Sequence, residues 1–190
     1  MALIDLYRQS VTAFADRVAT VQPDQWGAGT PCVDWDVREL VNHVVSEQLW
    51  SVPLFAGATI AEVGDRLDGD LLGDDPVTAA TEAAEDARAA VSDAGAMDRT
   101  VHLSFGETPA EEYVSQLFAD HLIHGWDLAV GLGTDRTLDP EAVEACLAWF
   151  DGREEMYRAG GAIGPRVDVA GDASAQDRLL AAFGRDPNMP

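Results

Sequence analysis

The stretch ADHLIHGWDLA, residues 119–129, sets Asp120, His121, His124 and Asp127 among apolar neighbours. In a helix, residues four apart share one face, so Asp120 and His124 form a vertical pair. Tyr113, Leu117, Asp127 and Gly131 extend the same stripe, and Leu117 marks its middle as inward-facing. A carboxylate and an imidazole buried together are costly unless something compensates both. A divalent cation does so, because it binds the deprotonated carboxylate and the neutral imidazole. The competing readings are a capped, solvated turn of helix and a buried histidine hydrogen-bonded to a carboxylate.

A metal site needs a third ligand from a facing element. LVNHVVSEQ supplies a candidate, His43, among Leu40, Val44 and Glu47. Three protein ligands would leave positions for water or substrate, as catalytic sites do. From spacing alone His121 could replace either Asp120 or His124, and Glu47 could also ligate. His102 falls in an extended segment and reads as a surface residue. Cys32 lies just before a helix N-terminus, which can lower a thiol pKa; the competing reading is a small apolar residue under a loop. Cys146, among Ala145, Leu147 and Trp149, reads as core. Tyr113, Trp50 and Trp126 could line an apolar pocket, and Arg38 and Arg99 could meet an acidic substrate. No Ser-His-Asp order, phosphate loop or dinucleotide fingerprint is found.

Helices must position these groups. Leu3, Leu6, Tyr7, Phe14, Val18 and Val21 have helical spacing and end before Pro23. QPDQWGAGTPCVDWDVREL reads as a loop leading into a second helix, about 35–55, with Asp34 or Asp36 as its cap and Pro53 in its last turn. Residues 57–75 form a long connection with one helical turn. Residues 78–95 form an Ala-rich third helix, and 99–110 a short extended segment or hairpin. Thr108 with Glu111 predicts a capping box for a helix over 109–130, stopped by Gly131 and Gly133. A further helix is expected over 139–158 and a terminal one over SAQDRLLAAF. The pattern is all-α, a four-helix bundle with extra short helices and a short extended segment. It reads as one domain, 1–190, with a short C-terminal tail from about residue 160.

Composition narrows the partners. Thirty-four Asp and Glu stand against 12 basic residues, all of them Arg, for a net charge of -22. No basic patch is available to neutralise phosphates, which argues against nucleic acid and against anionic membrane surfaces. No signal-like segment or membrane-length apolar run is seen. Two cysteines outside any CxxC pair exclude a zinc knuckle and suit a reducing cytoplasm.

TPCVDWDVRELVNHV, followed about 75 residues later by DHLIHGWDLA, resembles the DinB-like metalloenzyme superfamily. More closely it resembles the mycothiol-dependent maleylpyruvate isomerase N-terminal domain group, of actinobacterial type. The likeness takes in the lead-in loop, the second helix, the helix over 109–130 and the closing GRDP. It implies a four-helix bundle holding a divalent metal, usually zinc, with nickel or iron also suited to a mixed N/O ligand set. The ligand roles fall on His43, Asp120 and His124, which leaves His121 and Glu47 packing or supporting roles. The resemblance further implies a small thiol such as mycothiol as partner, and transfer to or isomerisation of a small electrophile. Two departures stand out. Asp120 takes the place of a Glu, and the extra C-terminal domain that gives the isomerase an essential arginine has no evident counterpart. The alternative expectation is a non-catalytic metal- or ligand-binding bundle, with a homodimer possible.

Overall fold

The computed structural model describes residues 1–189. Four long helices form the bundle: α1 (Leu3–Val18), α2 (Val37–Phe55), α4 (Pro76–Ser92) and α5 (Ala110–Leu132). Helices α1 and α2 each pack against both α4 and α5. The all-α expectation holds, with α3 (Ile60–Val63) as the single turn foreseen in the connection and one antiparallel hairpin, β1 (Thr100–Leu103) with β2 (Gly106–Pro109).

Local chemistry sets the start of α2. Asp36 accepts from the Glu39 amide at 2.9 Å, and the Glu39 carboxylate accepts from the Asp36 amide at 2.9 Å. This reciprocal pair satisfies two otherwise free donors and places His43 two turns inside the helix. Of the two capping candidates, Asp36 takes the role, while Asp34 adopts a left-handed φ of 71° in the preceding loop.

Helix α5 starts differently from expectation. Thr108 pairs with Val101 in the hairpin, so its backbone belongs to β2, and Pro109 stands at the N-cap without a side-chain bond. No Thr108–Glu111 capping box forms. At the other end Gly133 is the left-handed terminator, with φ of 65°. Gly131 lies inside the helix, and its role is close approach. A Cβ there would stand 3.1 Å from Val37 Cγ2, 3.2 Å from the Gly29 carbonyl and 3.3 Å from Thr30 Cγ2. The bare backbone lets the lead-in loop lie directly on α5.

The helix expected over 139–158 is two helices, α6 (Pro140–Phe150) and α7 (Glu154–Ala159), broken at Gly152. Asp139 caps α6 through the Ala142 amide at 2.9 Å, ahead of Pro140 at the first position. The segment beyond residue 160 is more than a tail. Helix α8 (Ala175–Ala182) packs against α6 and buries Leu179, Leu180, Ala181 and Ala182. No helix among the described residues is long and apolar enough to cross a membrane.

The contact at Gly131 yields a prediction. Gly131→Val should lower stability by about 1–3 kcal/mol, the usual range for overpacking a filled site. Urea denaturation measures this, and an unchanged midpoint would contradict the contact.

Candidate metal centre

His43 on α2 and Asp120 and His124 on α5 converge. His43 Nε2 lies 3.5 Å and His124 Nε2 lies 3.4 Å from the same oxygen, Asp120 Oδ1. The two imidazoles are 5.0 Å apart between ring centres and nearly perpendicular, at 74°. One ligand atom from each residue falls within 4.8 Å of the others. The second carboxylate oxygen, Asp120 Oδ2, is buried with no hydrogen-bond partner. Two imidazole nitrogens and a carboxylate with an unsatisfied oxygen fit a divalent ion of zinc, nickel or iron type.

Trp35 leans over both imidazoles, with ring centres 4.8 Å from His43 and 5.9 Å from His124. The group forms the floor of a cavity of about 740 Å³, which Tyr113, Trp149, Tyr157, Phe183 and Ile163 wall with apolar surface. Glu47 and Gln116 also line it. Tyr113 is thus in the cavity as expected. Trp50 is half-buried against the core, and Trp126 is fully buried.

Electrostatics follow from burial and pairing. Burial pushes the Asp120 carboxyl up, but the imidazoles of His124 and His43 together outweigh it and hold it well below the usual carboxylate range. Burial lowers His124, yet Asp120, Asp127 and Cys32 raise it well above an ordinary imidazole. Burial, reinforced by Asp120, pushes Glu47 up.

Behind His124 lies a second polar cluster. His124 Nδ1 is 2.9 Å from Asp127 Oδ2, a carboxylate wholly shielded from solvent. The Cys32 thiol donates to the same oxygen at 3.2 Å. Arg185, from the turn after α8, donates to Asp127 through Nε at 3.0 Å and Nη2 at 2.7 Å. Its Nη2 also reaches Cys32 Sγ at 3.3 Å and its Nη1 the Phe183 carbonyl at 3.1 Å. Cys32, His124 and Asp127 alone have metal-binding geometry too, but the guanidinium already supplies the cation there. His43, Asp120 and His124 are the candidate group that no guanidinium already occupies.

Other expected residues sort clearly. His121 is one step round α5 from Asp120 and points away from the floor, buried edge-on against Tyr7 and Phe14. Its Nδ1 pairs with the Leu117 carbonyl at 2.6 Å and its Nε2 with the Gln48 amide nitrogen at 2.9 Å. Burial keeps it neutral by lowering its pKa. His102 is half-buried on β1 outside the cavity. Arg38 binds Asp70 and the Gly73 carbonyl, and Arg99 binds Asp93 and the Phe55 carbonyl, so neither reaches the cavity. Cys146 is core, its thiol pushed up to about 12 by burial. Cys32 is neither a plain apolar filler nor an isolated nucleophile: its sulfur is tied to Asp127 and Arg185 at the cavity edge.

Arg185 is the residue that sequence reasoning missed. Its only signal was an arginine in the GRDP that closes the resemblance. It stands against Asp127 and Cys32 at the edge of the cavity.

The chain has known relatives. It is 35% identical over 147 residues, 75% of its own length and 74% of theirs, to two uncharacterised proteins of Mycobacterium tuberculosis strains. No solved structure matches it significantly. A family model described as the mycothiol maleylpyruvate isomerase N-terminal domain matches residues 7–129, from α1 through the Asp120–His124 pair and Asp127. The chain belongs to the mycothiol maleylpyruvate isomerase N-terminal domain family.

Proposed function

We propose that this protein is a divalent-metal-dependent enzyme that brings a low-molecular-weight thiol, such as mycothiol, together with a small electrophile in transfer or isomerisation. The observation that carries this is the convergence of His43, Asp120 and His124 within 4.8 Å of one another at the floor of a cavity of about 740 Å³. These three residues would hold the ion, with zinc favoured by the family resemblance and by the N/O donor set. When bound, such an ion supplies Lewis acidity and lowers the pKa of a coordinated thiol or water.

The chain's own residues would do the rest. A cavity of this volume admits a small thiol and a second small molecule together. Trp35, Tyr113, Trp149 and Tyr157 would exclude water and hold the apolar part of the electrophile. Glu47, beside the ligand group and facing the cavity, is placed to take up and return a proton. A purely structural metal site would have no need of this access or of a proton-handling group. The proposed compartment is the cytoplasm, which suits two free cysteines. The proposed partners are small molecules, since a net charge of -22 without a single lysine disfavours nucleic acid and anionic membranes.

Two predictions test the reading. Metal analysis of protein purified without a His tag should find about one ion per chain, bound by three protein ligands as in catalytic sites. His43→Ala and His124→Ala should each lose most of it, and His102→Ala should retain it. Unchanged metal content in both site variants would remove the centre. Separately, adding mycothiol to cobalt-substituted protein should produce a near-ultraviolet band from sulfur ligation and shift the visible bands. A spectrum indifferent to every thiol offered would favour the non-catalytic metal-binding bundle.

A further inference from the structure

Asp127 presents a problem that the three ligand residues do not solve. It is wholly buried, on the side of His124 away from the proposed ion. A buried carboxylate with an imidazole as its only partner competes for the ring's proton and leaves the ring's orientation unsettled. Arg185 removes the problem. Its planar fork meets both carboxylate oxygens, Nε to Oδ1 at 3.0 Å and Nη2 to Oδ2 at 2.7 Å, which is the bidentate geometry that lysine cannot copy. With the carboxylate so balanced, Asp127 accepts the Nδ1–H of His124 at 2.9 Å and turns Nε2 toward the other side of the ring. That nitrogen is the one 3.4 Å from Asp120 Oδ1, on the same side as His43.

The chain goes to some length to deliver this arginine. After α8 the Gly184 amide donates to the Ala181 carbonyl at 3.1 Å and the Arg185 amide to the Leu180 carbonyl at 2.8 Å. This is the double bond pattern that closes a helix through a left-handed residue, here Gly184 with φ of 77°. A Cβ on Gly184 would also lie 3.0 Å from the Pro165 carbonyl oxygen and 3.1 Å from the Gly164 carbonyl carbon. The turn is therefore locked between α8 and the 164–165 segment, with the guanidinium aimed inward. Four of the guanidinium N–H groups are then used, on Asp127, Cys32 Sγ and the Phe183 carbonyl. Nearly all its donor capacity is spent inside the protein and little is left for a substrate.

We infer that Arg185 is a positioning residue of the metal centre: through Asp127 it fixes the His124 ring with Nε2 presented to the ion. Resting on the proposed metal site, this gives a role at that site to a residue outside the 7–129 region that defines the family.

Cobalt titration of the full chain, read as both affinity and visible spectrum, tests it. Arg185→Ala should bind cobalt roughly 10–100-fold more weakly, the usual cost of losing an outer-shell partner, with altered visible bands. Arg185→Lys should recover only part of the loss. Asp127→Asn should weaken binding comparably, and the double variant should be no worse than the poorer single one, as expected for residues acting through one path. Low-millimolar guanidinium should restore affinity and spectrum to Arg185→Ala while leaving wild type and Asp127→Asn unmoved. Arg185→Ala with wild-type affinity and spectrum would overturn the inference. So would a loss that guanidinium does not reverse and that tracks a lowered melting temperature, since a merely structural residue behaves that way. Failure of the wild-type chain to take up cobalt would instead strike the proposed metal site.

Discussion

A carboxylate with no access to water, that of Asp127, sits behind the candidate metal centre. Removing one partner from a buried ion pair typically costs about 3–5 kcal/mol, because the charge left behind is uncompensated. Asp127 therefore constrains everything that touches it. Its donors come from three places distant in the chain: His124 on its own helix, Cys32 in the loop before α2, and Arg185 after α8. Each segment must be in place for the carboxylate to be tolerated. The loop, the fifth helix and the C-terminal turn are thus held in register by one side chain, and the cavity is what those segments enclose.

Helix α5 carries two unlike polar groups on adjoining faces. Asp120 and His124, four residues apart, look toward α2 and the cavity. His121, rotated by about 100° from Asp120 in a helix of 3.6 residues per turn, looks toward α1 and is neutral among aromatic rings. The same imidazole chemistry serves as a candidate ligand on one face and as a hydrogen-bonded filler on the other. What separates them is the neighbour: a carboxylate and a second imidazole for His124, a carbonyl and an amide for His121.

This separation shows what the sequence could and could not reveal. The Asp120–His124 pair was legible because helical periodicity alone fixes which side chains share a face. The placement of His43 opposite it followed from an inward stripe on a second helix. Spacing could not decide between His121 and His124, since both lie in an apolar helix; the family resemblance favoured His124, and the neighbours on α1 and α2 set the two rings apart. The start of α5 was misjudged for a related reason: Thr108 has good capping chemistry, but strand pairing with Val101 had prior claim on its backbone. Arg185 was beyond local reasoning altogether. Its direction depends on a left-handed turn and on a contact with residues 164–165, which no periodicity encodes.

The cavity is assembled from two sources with different freedom to change. Its floor stands on the long helices α2 and α5, where moving a residue would disturb the bundle. Much of its roof is loop and turn: Ala162, Ile163, Gly164, Pro165 and Phe183, all outside the stretch by which the family is recognised. The exposed residues of that roof, Ala162 and Gly164 among them, can change without disturbing the helices that carry the floor, whereas Phe183 stacks on Phe150 and belongs to the core. The family likeness thus covers the floor of the cavity, while the shape of its mouth is written in the last thirty residues of this chain.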